Sequence, residues 1–265
     1  MTLPSAPYAS PLFAPLRHWL SQLPPVPDSA ALRALAAAYP VDCGNGFPVS
    51  FVAPQEDGLA YECRVWERGE VETRPDNWHD FFNALVWLAF PKTKRAVTAA
   101  HVAAMQPQGA ARGQIRDTLT HFDECGIVVL STQPELLDLL RAFAWKELFV
   151  THREAVRHSM RFIVFGHATY EALLSPFRGL TAKAILHAVT PDWLVQDERA
   201  LLARLDPWLA AELSSGRYAR PRDFQPLPLL GIPGVTPESE QPQYYDDTWQ
   251  FRPGRRATAT AACAG

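Results

Sequence analysis

The residues best equipped for chemistry fall in three short stretches. In the first, Asn77-Trp78-His79-Asp80-Phe81-Phe82-Asn83, an imidazole and a carboxamide stand four positions apart. On a helix that spacing places His79 and Asn83 on one stripe. Asn77 suits an N-cap, and Asp80 in the first turn is favoured by the helix dipole. From Trp78 to Phe90 the segment is apolar nearly all round, the mark of a buried helix. A buried polar group without a partner costs roughly 1–3 kcal/mol, so this stripe either knits the core or faces a site.

The second stretch, Phe165-Gly166-His167-Ala168-Thr169-Tyr170-Glu171, follows a buried-looking strand. A strand that enters a helix through glycine leaves backbone N–H groups free at the helix start. His167 there is biased towards neutral imidazole, the form that binds metal or accepts a proton. His167 and Glu171, four apart, can share a metal or a proton, although H-x-x-x-E more often marks a solvated pair. The third stretch holds Arg112, Arg116 and Asp117, then Asp123-Glu124-Cys125-Gly126. Its last four residues read as a turn, with the two carboxylates as alternative oxygen ligands. The candidate set is therefore His79, Asn83, Asp80 and Arg116 for catalysis. For a divalent metal such as zinc, manganese or iron it is His79, His167, Glu171 and Asp123.

Other chemistries lack their signatures. There is no phosphate-cradling glycine loop, no dinucleotide fingerprint, no H-E-x-x-H and no G-x-S-x-G, so no nucleotide cofactor is expected. The four cysteines form no C-x-x-C pair, which argues against a structural zinc ribbon. A net charge of -3 and a pI of 6.2 argue against a nucleic-acid coat. Lys92, Lys94, Arg95, Arg112 and Arg116 form a loose basic set that reads as a solvated face. No apolar run is long enough to span a membrane. Nothing resembles a signal peptide, so a cytoplasmic location is expected.

The elements that must position these residues read as an α+β single domain, mostly helical, with a small mixed or antiparallel sheet. Helices are expected at 32–39, 77–90, 94–105, 134–143, 167–174, 192–205 and 208–214. Strands are expected at 47–52, 59–67, 71–73, 114–122, 127–131 and 161–165, with hairpin turns at 67–70 and 123–126. Thr132 with Glu135 resembles a capping box, and Thr190-Pro191 and Asp206-Pro207 resemble helix starts. Seven of the 24 prolines lie in residues 1–28 and seven more in residues 219–265. The chain thus divides into a Pro-rich arm (1–28), a core (29–218), a Pro/aromatic tail that packs on the body (219–254) and a disordered Ala/Thr end (255–265).

The segment R-P-D-N-W-H-D-F-F-N-A-L-V-W-L-A-F-P-K-T-K, Arg74 to Lys94, resembles the hallmark of a bacterial family, Domain of Unknown Function 3025. Tyr61-Glu62, the stretch R-D-T-L-T-H-F-D-E-C-G ending at Gly126, and the segment Phe165 to Glu171 resemble its other recurring stretches. The resemblance runs roughly from Phe47 to Leu186, with Cys125 standing where a polar turn residue is expected. It implies a soluble bacterial protein and brings no activity, cofactor or catalytic residue.

The residues themselves suggest a metal-assisted hydrolase acting on an anionic substrate, with a phosphoester as one form. His79 and His167 would then share a cleft, and Arg112 or Arg116 would hold the anion. A binding or regulatory module with a protein partner is the alternative from another class. A divalent-metal nuclease with His79 as general base is the alternative among enzymes.

Overall fold

The computed structural model describes residues 8–105 and 110–254, the side chains of residues 110–112 excepted. The Arg112 side chain and the expected Ala/Thr end lie outside the described residues. The helices are α1 (Arg17–Leu20), α2 (Ser29–Ala38), α3 (Tyr61–Arg68), α4 (Trp78–Ala89) and α5 (Pro91–Met105). They continue with α6 (Ala110–Cys125), α7 (Pro134–Arg141), α8 (Arg153–Ser159), α9 (His167–Leu174) and α10 (Glu198–Ser214). The strands are β1 (Ser50–Val52), β2 (Glu70–Glu72), β3 (Gly126–Ser131), β4 (Met160–Val164), β5 (Thr181–Ala188) and β6 (Gln225–Pro228).

A four-stranded mixed sheet, in the order β4-β3-β5-β6, forms the centre. β3 runs antiparallel to β4 and parallel to β5, and β6 closes the far edge antiparallel to β5. All six residues of β3 are buried, as a central Ile/Val/Leu strand covered on both faces must be. α4 is buried from Asp80 to Ala89 and packs against α9. The fold is α+β, one domain, mostly helical. No helix among the described residues is long and apolar enough to cross a membrane.

Both Pro-rich ends lie on this body. Leu12, Phe13 and Leu16 of the arm are buried. In the tail, β6 supplies an edge strand, and Phe224, Leu227, Leu229, Ile232, Tyr245 and Phe251 are buried. Trp249 alone of the tail's large apolar residues is more than half exposed, at 53%.

Two expected strands are helices. Residues 59–67 fold mostly as α3, whose buried face carries only Arg64 and Val65. Arg64 is held there by Asp57, Glu70 and Glu72, so a charged residue occupies a position that an apolar pattern cannot reveal. Gly69, in the left-handed region at φ 71°, ends α3 rather than turning a hairpin. β2 then pairs parallel with β1, which a tight hairpin cannot achieve. Residues 114–122 belong to α6, which runs through Asp123 and Glu124 to Cys125. No hairpin forms at 123–126, because Gly126 opens β3 directly.

Three smaller expectations also change. Thr132 does not cap α7, whose N-cap position is Gln133. Pro191 opens only a short 3-10 turn, Pro191–Trp193. Asp206-Pro207 starts no helix, since α10 passes through it. Asp206 instead caps α5: its carboxylate accepts from Lys92 N at 2.9 Å, Thr93 N at 2.8 Å and Thr93 Oγ1 at 2.8 Å.

Asp206→Ala leaves those buried donors unpaired and is expected to destabilise the protein by about 2–3 kcal/mol, read as a lowered denaturant midpoint. Truncation after Arg220 strips β6 and the tail's buried side chains from the body. It should lower the melting temperature, and an unchanged melt would show that the tail contributes nothing.

Candidate functional site

The site forms where three helix ends meet. Asn77 caps α4 by accepting from Asp80 N at 2.9 Å, which fixes the first turn and with it His79. His167 is the first residue of α9, and Glu124 lies in the last turn of α6. β3 and β4 pair antiparallel, with Ile127 opposite Val164, so the end of α6 and the start of α9 emerge side by side. Gly126 O accepts from both Phe165 N and Gly166 N at 2.9 Å.

Ligand atoms of His79, His167 and Glu124 all lie within 4.8 Å of one another. The two Nε2 atoms are 3.0 Å apart. Glu124 Oε2 is 3.9 Å from His79 Nε2 and 3.6 Å from His167 Nε2. On the far side of its ring, His79 Nδ1 meets Glu171 Oε2 at 3.1 Å. His167 Nδ1 is buried without a hydrogen-bond partner among the described residues, and its nearest carboxylate oxygen is Asp123 Oδ2 at 3.7 Å. Burial pushes the His167 imidazole down to about 3 despite the pull of Asp123. It is neutral at physiological pH. Burial likewise pushes the Glu124 carboxyl up, with His79 opposing.

The cluster opens on a cavity of about 410 Å³ lined also by Tyr61, Glu62, Arg74, Asn83, Trp87 and Lys94. Lys94, in the expected solvated run, is instead only 4% exposed. Its Nζ donates to Asn83 Oδ1 at 2.9 Å and to both Asp123 oxygens at 2.8 Å. Burial pushes the Asp123 carboxyl up, but the Lys94 ammonium outweighs it and holds it below the usual range. Arg74 grips Asp80 in two-pronged fashion, Nε and Nη2 each at 2.8 Å. That grip outweighs burial and holds the Asp80 carboxyl low.

His79 and His167, 88 residues apart in sequence, thus share one cleft. Glu171 does not join the ligand cluster, because its carboxylate is turned onto His79 Nδ1. Asp123 does not join either; it is the counter-ion of Lys94. Asn83 and Asp80 line the cavity, committed to Tyr61 and Lys94 and to Arg74 respectively. Arg116 lies in an adjoining hollow, 3.7 Å from Asp117 and half exposed. Glu124 takes the place expected of Asp123, since on a helix adjacent side chains diverge by about 100°. The signal that finds it is the helical spacing of Leu119 and Phe122, both buried.

A family model described as "Protein of unknown function (DUF3025)" matches residues 49–255. That span contains all six strands and every residue of the cluster and its cavity. No curated protein and no solved structure matches the chain.

Because the folded His167 titrates below its unfolded value of 6.5, the unfolded state binds the extra proton between the two. Stability from this group is complete above pH 6.5 and is lost as pH falls towards 3, at up to about 1.4 kcal/mol per pH unit. In protein freed of metal with a chelator, the stability curve should slope this way between pH 6.5 and 4.5. His167→Gln should flatten it. An equal slope in the variant would assign the proton elsewhere.

Proposed function

The chain belongs to the DUF3025 family of proteins of unknown function, and from that premise we propose that it is a metal-dependent hydrolase centred on His79, His167 and Glu124. One observation carries the reading: the two imidazole Nε2 atoms face each other 3.0 Å apart. With the His79 Nδ1 proton directed at Glu171, the His79 Nε2 offers a lone pair. His167 is neutral, and a proton on its Nδ1 side, towards Asp123, leaves the same at its Nε2. Two lone pairs and a carboxylate converging on one point repel unless a positive charge sits among them.

A divalent cation satisfies all three donors at once. A tetrahedral zinc with bonds of about 2.0 Å sets its ligand atoms about 3.3 Å apart, and the observed 3.0, 3.6 and 3.9 Å bracket that value. Two imidazoles and one carboxylate suit zinc, with manganese or iron as further occupants. Three protein ligands leave a coordination position for water, the mark of a catalytic rather than a structural site. A metal there lowers the pKa of its bound water towards 7 and polarises a substrate oxygen. Glu171 orients His79 from behind, as the outer partner of a metal-ligating histidine does.

A proton is the competing occupant. An imidazolium at His79 would donate to Glu171 and to His167 with no metal at all, and the cluster would then be part of a binding module.

Elemental analysis of protein purified without chelator decides between them. About one equivalent of zinc, manganese or iron per chain is expected. Chelation should lower the melting temperature, since saturation at 100 times Kd stabilises by about 2.7 kcal/mol. His79→Ala should abolish stoichiometric binding, and Glu171→Ala should weaken it about 10–100-fold. Metal-free protein whose melt ignores every divalent ion supports the proton instead.

A further inference from the structure

The arginine and lysine side chains that line the cavity are Arg74 and Lys94, and they differ in what they have left to give. Lys94 Nζ already meets three acceptors, Asn83 Oδ1 and both oxygens of Asp123, which accounts for its three protons. A guanidinium has five N–H groups in one plane. Arg74 commits Nε and Nη2 to the Asp80 carboxylate, each at 2.8 Å. That uses the side of the fork. Its end, where Nη1 and Nη2 each hold out one N–H, meets no acceptor among the described residues. The side chain is 57% exposed and stands in the cavity wall, so the free end is open to a ligand.

Arg74 is held firmly for so exposed a residue. Its backbone N–H also goes to Asp80 Oδ2, at 2.8 Å, so one buried carboxylate fixes both the main chain and the side chain. Asp76, in the left-handed region at φ 54°, turns the chain between Arg74 and Asn77, the N-cap of α4. Aspartate enters that region more readily than most residues. An arginine gripping a ligand ordinarily gives up much rotamer freedom, and one already pinned gives up little. Asp80 directly follows His79, so the pinned fork is anchored to the same first turn that carries the metal ligand. Glu171, which meets His79 Nδ1, adds to the pull that keeps Arg74 charged.

We propose that Arg74 receives an oxyanion of the substrate, a phosphate or a carboxylate, on the free end of its guanidinium. This rests on the metal-hydrolase reading and assigns a charge to its substrate. Two parallel N–H groups match two oxygens of one phosphate or carboxylate. The lining carboxylates Asp80, Asp123 and Glu72 are already taken by Arg74, Lys94 and Arg64. Glu124 belongs to the metal cluster, where a divalent cation brings two positive charges against its one negative charge. Glu62 supplies an opposing charge, with His101 beside it at 3.9 Å. The anion is therefore held by directed N–H groups and by the metal, not by a diffuse positive field. A cavity of about 410 Å³ is of the size that takes one small molecule. Arg116, expected from the sequence to hold the anion, faces the adjoining hollow beside Asp117.

Cobalt(II)-loaded protein tests this with inorganic phosphate and acetate as anions and imidazole as a neutral metal ligand. Anion binding is read by calorimetry, and imidazole binding by the visible absorption of cobalt. Arg74→Lys keeps the charge and removes the fork. It should weaken one or both anions about tenfold or more, with cobalt stoichiometry and imidazole binding as in the parent. The anion that loses more identifies the source, phosphate for a phosphoester and acetate for a substrate bearing a carboxylate. Both anions binding the variant like the parent, or Arg116→Gln weakening them instead, would overturn the assignment while the metal centre stands. Should the variant also lose cobalt or imidazole, phenylglyoxal labelling of the parent, located by peptide mass, decides. Phosphate or acetate should slow labelling at Arg74, and labelling that neither anion slows overturns the assignment. A parent that takes up no cobalt overturns the metal-hydrolase reading, and Arg74 then keeps its role only if an anion still slows its labelling.

Discussion

Everything at the site depends on how closely two backbones approach. Gly166 sits against the junction of α6 and β3 so tightly that an added Cβ would lie 2.4 Å from Gly126 N and 2.5 Å from Cys125 Cα. No side-chain rotation relieves a contact with backbone. Gly126 has its own restriction, since a Cβ there would meet Phe122 O at 2.4 Å. Neither glycine is required for a turn of positive φ. Each is required because a main chain passes where a methyl group would stand. The consequence is geometric: the last turn of α6 and the first turn of α9 are locked together by two hydrogen bonds to Gly126 O. Glu124, Asp123 and His167 inherit their positions from that lock.

Around this lock the protein places an unusual amount of polarity in its interior. Lys94, Asn83, His101, Asp80 and His167 are all buried. Desolvating a charge is expensive, and a buried ion pair is often no better than an apolar replacement. What makes the arrangement tolerable is saturation, with Lys94 using every proton and Arg74 meeting Asp80 through two nitrogens. By contrast the atoms left unsatisfied include Trp87 Nε1 and His167 Nδ1, both on residues that line the cavity. Asp206 shows the same economy used for scaffold alone, since its three acceptor contacts all end on α5. Saturated networks of this kind hold the frame.

Much of this was legible in the residues. Asn77 before an apolar run, and Gly166 after a strand, locate α4 and α9 to within a residue, because capping chemistry is local. The buried tail was legible from its aromatic content, since a free linker has no use for Phe224 or Phe251. The errors came where tertiary contacts override local pattern. α3 hides a buried arginine on its inner face, so its helical period is invisible to an apolar count. Asp123-Glu124-Cys125-Gly126 has turn composition, yet its carboxylates belong to a helix and its glycine to a backbone crossing. That turn composition is why Asp123 rather than Glu124 is expected among the ligands. Lys94 looked like part of a solvated run because nothing in the sequence reveals that Asp123 will meet it.

The cluster also explains why its carboxylates differ in duty. Glu171 and Glu124 flank the same imidazole of His79 from opposite sides, one at Nδ1 and one near Nε2. A carboxylate at Nδ1 holds the proton there and makes Nε2 the better electron donor. A carboxylate near Nε2 adds negative charge where a cation would sit. Acting together they set negative charge on both sides of the ring. The two occupants therefore compete, and metal gains on the proton as pH rises, because the ligands must be deprotonated to bind. His167 tilts the contest. Burial keeps it neutral far below physiological pH, so it offers a metal ligand that needs no proton removed. Under the proposed metal reading, that uncharged form is the one the site would use.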